Sequence, residues 1–73
     1  MKQSKVASEI TGKVWKITSA PGDKLAEDDP ILILESMKME IPVSAPLDCT
    51  VVEILVAEGD TVSEGQPVAV IES

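Results

Sequence analysis

The feature that most constrains this chain is an internal repeat. Sliding the 73 residues against themselves by 37 positions, the distance from Gly22 to Gly59, brings two segments into one ungapped register. Thr11–Ile17 falls on Asp48–Ile54, Ala20–Asp23 on Ala57–Asp60, and Pro30–Ser36 on Pro67–Ser73. Identical pairs include Val14/Val51, Ile17/Ile54, Gly22/Gly59, Asp23/Asp60, Glu27/Glu64, Pro30/Pro67 and Glu35/Glu72. A fold for this sequence must therefore be made of one small unit used twice.

That unit reads as β. Its apolar runs are short, rich in Val and Ile, and punctuated by Gly-Asp and Pro. No stretch sustains the i, i+3, i+4 apolar spacing of a helix. Gly22-Asp23 and Gly59-Asp60 have the composition of tight turns, where glycine takes a positive φ without steric cost. Asp28 stands opposite Gly65 in the repeat, and Asp is among the few other residues that tolerate left-handed geometry. Two β units that each expose an apolar face bury those faces against one another. The expected architecture is all-β: a flattened barrel or sandwich of two antiparallel sheets with approximate two-fold symmetry. The symmetry also predicts a position. Residues 37–40 take, in the first half, the place that the end of the chain takes in the second, so Lys38 is expected at one pole and the termini near the other.

Length and charge remove several function classes. A chain this short forms one domain that buries about 60% of its unfolded surface, with no room for a deep substrate cleft. Thirteen acidic residues against six lysines give a net charge of −7. Such a surface repels nucleic-acid phosphates and anionic lipid heads, so neither nucleic acid nor membrane is an expected partner. No apolar run approaches the roughly 20 residues of a membrane span, and residues 1–9 lack the apolar core of a signal peptide. Histidine is absent and Cys49 is the sole cysteine. That leaves no metal-ligand cluster, no intrachain disulfide and no histidine-based nucleophile, and it fits a reducing, cytoplasmic setting. No catalytic residue of its own is expected.

One lysine is isolated. From Leu25 onward Lys38 is the only basic residue among eleven acidic ones, within Glu35-Ser36-Met37-Lys38-Met39-Glu40. Period-2 alternation allows a plain reading in which Lys38 faces solvent from a strand while Met37 and Met39 fill the core. Against it stands the position of the tripeptide at the junction of the repeats, where a turn must start the second pass and an exposed amine at its tip would make a protruding handle.

Glu-Ser-Met-Lys-Met-Glu resembles the attachment motif of biotinyl domains, in which a lysine between two methionines crowns a tight β-turn. With the repeat, the two Gly-Asp turns and the Ala45-Pro46 approach to the second half, the chain resembles the biotinyl/lipoyl attachment family from about Glu9 to Ser73. This sets residues 1–8 apart as a short polar segment before a carrier domain of residues 9–73. The resemblance implies that Lys38 receives biotin covalently, with Met37 and Met39 flanking the cofactor and Glu35 and Glu40 read by biotin protein ligase. It further implies that the domain carries carboxyl groups between a biotin carboxylase and a carboxyltransferase, the chemistry residing in cofactor and partners. In isolation it is expected to be a monomer. Lipoyl domains usually carry Asp before the lysine and a small residue after it, so Met at both places favours biotin. Lipoate, as in stand-alone proteins that accept either cofactor, is one alternative. An unmodified structural hairpin module is another.

Two positions depart from the family pattern, Cys49 and Asp28, where glycine is usual. Both are read as sites that need only a small or left-handed-tolerant residue. For Cys49 no basic neighbour in sequence would lower its pKa to make it reactive. Trp15, opposite Val52 in the repeat, is read as packing on the rim of the core. Glu27-Asp28-Asp29 is read as a solvated loop that also helps repel wrong partners.

Overall fold

The computed structural model describes residues 2–73, and no helix occurs among them. Eight strands follow one another: β1 (Gln3–Ala7), β2 (Gly12–Ile17), β3 (Lys24–Leu25), β4 (Pro30–Ser36), β5 (Met39–Ser44), β6 (Cys49–Ile54), β7 (Thr61–Val62) and β8 (Pro67–Glu72). They form two four-stranded antiparallel sheets, ordered β1-β8-β6-β3 and β5-β4-β2-β7. Exchanging β1–β4 for β5–β8 converts one order into the other, so the two-fold relation read from the repeat is the organising symmetry of the molecule.

The sheets form a sandwich, not the closed barrel that was the other expected form. Each has two ends: a two-residue strand, β3 or β7, and a longer edge strand, β1 or β5. Between β1 and β5 lies an open groove of about 480 Å³ lined by residues such as Val6, Ile10, Leu34, Ile41 and Val43. Matching irregularities confirm the relation. A bulge interrupts β2 at Trp15 and β6 at Val52, both against their central partner strand. A second pair of register shifts falls at Val6/Ala7 and at Pro30/Leu32, again at related positions.

Residues 3–7, set apart from the domain by the sequence reading, form edge strand β1, which pairs with β8 from Gln3↔Glu72 to Ala7↔Pro67. The repeat therefore extends further than sequence identity shows, because β1 is the counterpart of β5. Only Val6 of β1 is buried, so burial places little constraint on the rest of the strand. That is why Gln3 and Lys5 can stand where β5 has Glu40 and Pro42.

The core joins both halves: Val14, Ile31, Leu32 and Leu34 from the first, Val51, Val62, Val68, Ala69 and Ile71 from the second, all at most 1% exposed. Val6, Val43, Ala45 and Cys49 close it. Trp15 is absent from this cluster and from the partly buried residues packed on it; it is 48% exposed, which corrects its placement on the core rim.

The turns obey the same symmetry. Gly22 and Gly59 have φ of 96° and 94°, and their N–H groups donate to Val51 O and Val14 O at 2.7 and 2.8 Å. The Asp23 and Asp60 carboxylates each accept from the backbone N–H three residues earlier, both at 2.9 Å. Asp28, φ 75°, matches Gly65, φ 83°. Of the acidic loop, Asp28 supplies this left-handed turn and Asp29 accepts from Ala26 N at 3.0 Å, so both shape the backbone.

Candidate functional site

The hairpin between β4 and β5 is where the isolated lysine lies. Register fixes its geometry: Leu34 pairs with Ile41, Glu35 with Glu40 and Ser36 with Met39, leaving Met37 and Lys38 as a two-residue loop. Both have positive φ, 53° and 64°. This is the handedness of a type I′ turn, whose twist matches that of the flanking strands. Asn and Gly ordinarily occupy such turns; a side chain held in the left-handed region costs on the order of 1 kcal/mol or more. The two residues at the apex are therefore poor choices for folding.

Nothing at the apex is buried. Met37 is 92% exposed and Met39 63%, with Lys38 exposed between them. The reading that put the methionines in the core is thus overturned. Three residues of β4 behind the tip, Ile31, Leu32 and Leu34, have no exposed surface, so the hairpin rises from a packed base. The Ser36 hydroxyl donates to Thr11 O at 3.1 Å and ties that base to the start of β2.

Glu35 and Glu40 are direct cross-strand neighbours and both are exposed. Like charges placed opposite one another destabilise a sheet. On its other side Glu35 faces Lys13. In the second half Glu72 occupies the place of Glu35, but its neighbours are Gln3 and Thr50. The doubled carboxylate is thus a property of the lysine hairpin alone. The structure gathers all five residues singled out in sequence, Glu35, Met37, Lys38, Met39 and Glu40, on this one hairpin.

The termini lie away from it. Thr11, bound to Ser36, also accepts from Glu64 N through its hydroxyl at 3.2 Å, so the approach to β8 begins beside the lysine hairpin. β8 then runs away for about 20 Å, at roughly 3.3 Å per residue, to Ser73, which exchanges two backbone hydrogen bonds with Lys2. The Ser73–Lys2 pair is the symmetry counterpart of Ser36–Met39. In a molecule of 36 × 17 × 17 Å the hairpin and the Lys2–Ser73 pair lie toward opposite ends of the long axis.

Cys49 takes no part in the hairpin. It is 7% exposed and belongs to the core; burial pushes its thiol pKa up, and the Asp48 carboxylate adds to the shift. Among the described residues no group of three metal-ligating side chains occurs, and no helix is long and apolar enough to cross a membrane.

Comparison with known proteins agrees with this geometry. The family model described as "Biotin-requiring enzyme" matches residues 1–71. The chain is 42% identical over 60 residues to the biotin/lipoyl attachment protein of Bacillus subtilis, covering 82% of each. It is 40% identical over 68 residues to the urea amidolyase of Saccharomyces cerevisiae, covering 93% of this chain and 4% of that protein. The structure superposes on Kluyveromyces lactis urea carboxylase with a TM-score of 0.91 at 39% identity, again spanning 97% of this chain and 6% of the other. The chain thus matches most of a small attachment protein and a small piece of large enzymes. Repeat, fold and family match agree, and the chain belongs to the biotin/lipoyl attachment family.

Proposed function

We propose that this domain carries biotin in amide linkage on Lys38 Nζ and moves carboxyl groups between a biotin carboxylase and a carboxyltransferase. The observation that carries the reading is the apex itself. Met37 and Lys38 hold left-handed positions that folding would fill with Asn-Gly, and their side chains are exposed. A sequence that keeps a costly turn at its most exposed point keeps it for what the side chains do.

The chain's contribution is presentation. Lys38 offers an unhindered amine, the packed β4 base restricts its orientation, and the Glu35–Glu40 pair marks the hairpin for a complementary basic face on biotin protein ligase. In the loading step the amine attacks an activated biotinyl carbonyl, an amide forms, and the activating adenylate leaves as AMP. When bound, the cofactor supplies the carboxyl-accepting ureido group; the polypeptide supplies reach and a raised effective concentration at two active sites. The domain is then a non-catalytic carrier of the cytoplasm, a setting in which its lone thiol stays reduced. Met on both sides of the lysine supports biotin over lipoate.

Intact mass after co-expression with biotin protein ligase and a lipoate ligase tests this. One added biotin is expected on the wild type and none on Lys38→Ala, while Met37→Asp with Met39→Ala shifts loading toward the lipoyl mass. Persistent biotin on Lys38→Ala removes the site assignment. A lipoyl mass on the wild type transfers the reading to lipoate, and an unchanged mass makes the hairpin a structural module.

A further inference from the structure

Peroxide chemistry on a protein falls first on sulfur, and this fold sorts its sulfur by exposure. Cys49, the only thiol, sits in the core at 7% exposed, where burial pushes its pKa up and keeps it protonated and unreactive. Of the three methionines, Met1 lies outside the described residues. The other two stand on either side of Lys38, Met37 92% and Met39 63% exposed. Neither belongs to the hydrophobic core or to the side chains packed against it. Met37 sits at the apex with its φ of 53°, and Met39 opens β5 opposite Ser36. Among the described residues, the sulfur that an oxidant can reach is gathered at the lysine tip.

We infer that Met37 and Met39 are a reversible oxidation site, and that a sulfoxide at either one slows the loading of Lys38. The inference rests on the carrier reading proposed above. The oxidant is a hydroperoxide, of which hydrogen peroxide is the simplest. A lone pair on Sδ attacks one peroxide oxygen and the O–O bond breaks. The transferred hydroxyl gives its proton to the departing hydroxide, so water leaves and the thioether, oxidised by two electrons, becomes a sulfoxide. In the reverse step a thiol-dependent reductase removes that oxygen as water and is itself oxidised to a disulfide. Oxidation makes a flexible apolar side chain polar. The folded domain does not register the change, because both side chains are already in water. Its effect falls on the complex with the ligase. An enzyme that brings an activated carbonyl to Lys38 covers both neighbours, and a sulfoxide oxygen there gives up its water without a partner. Exposure at the tip thus makes the pair a control on loading that leaves the fold intact.

The unloaded domain is treated with hydrogen peroxide, and intact mass with peptide mapping follows the oxygen. Met37, the more exposed of the pair, is expected to gain an oxygen first and Met39 second, with Cys49 unmodified and Tm as in the untreated protein. The kcat/KM for loading by biotin protein ligase then falls about tenfold or more, and methionine sulfoxide reductase with a thiol restores it. Met37→Leu with Met39→Leu, a volume-conserving exchange, loads before peroxide and keeps its rate after it. Should leucine itself slow loading, the reductase rescue of the wild type decides. Loading at the untreated rate by the oxidised wild type overturns the inference. So does a loss that comes with a lower Tm or an oxidised Cys49, that persists in the leucine variant, or that the reductase does not reverse. A wild type that takes up no biotin before peroxide sinks the carrier reading and this inference together; one that loads equally well before and after sinks only the switch.

Discussion

At the scale of single residues, Lys38 presents a conflict between folding and use. Its φ of 64° belongs to the region where glycine is at ease and a side chain is strained. Replacing Lys38 by glycine is therefore expected to stabilise the domain by about 1 kcal/mol, a rise in Tm of roughly 4–8 °C for a chain of this size, while removing the proposed attachment site. Thermal unfolding of the two proteins side by side checks it, and a Lys38→Gly domain less stable than wild type would show the turn to be relaxed. The sequence disclosed this residue through its isolation among acidic side chains and its place at the repeat junction. It also pointed to Met37 and Met39 at an exposed tip, against the alternation that would have put them in the core, but the limits of the turn depend on register and came only with the structure.

At the scale of elements, the related turns are the sharpest test of the duplication. Gly22 and Gly59 share a φ near 95° and the same hydrogen bond across to the opposite half. A Cβ built on either meets nothing within 4 Å, so a substitution there is penalised by backbone conformation and not by a clash. Gly22→Val and Gly59→Val are each expected to cost roughly 1–3 kcal/mol and to agree closely with one another. Urea unfolding measures both, and a large difference would mean that the halves do not share the load. The turns and the four runs that form β2, β4, β6 and β8 were legible, because Gly-Asp and β-branched periodicity act locally. β1 was not. With only Val6 buried, its strand character comes from the free edge of β8 that it completes.

At the scale of the molecule, the thin core makes one buried group a reporter for the whole. The Cys49 thiol, pushed up by burial and by Asp48, ionises in the unfolded chain before it does in the folded one. Its contribution to stability is full below the ordinary thiol range and is lost as pH rises through that range toward the folded value. Wild-type stability is expected to fall more steeply with rising alkaline pH than that of Cys49→Ala, whatever the offset between them at neutral pH. Denaturant midpoints across the alkaline range give the two slopes, and equal slopes would remove the thiol from the account. The opposed poles are also a whole-molecule property: any tether at the termini leaves the lysine hairpin at the far end of the long axis.

What the sequence determined by itself is whatever recurs or acts locally: a duplicated all-β unit, its Gly-Asp turns, and the one lysine set at the junction. These follow from periodicity, from backbone preferences of single residues and from the match of two segments, none of which needs knowledge of neighbours in space. The tertiary structure decided the rest. It chose a sandwich over a barrel by leaving β1 and β5 as separate edges, and it brought residues 3–7 into a sheet. Through register it set Glu40 against Glu35, and it left Trp15 exposed at a bulge. Each of these depends on which strand lies alongside, and pairing between distant segments is set by the packing of the whole core, not by any stretch read alone.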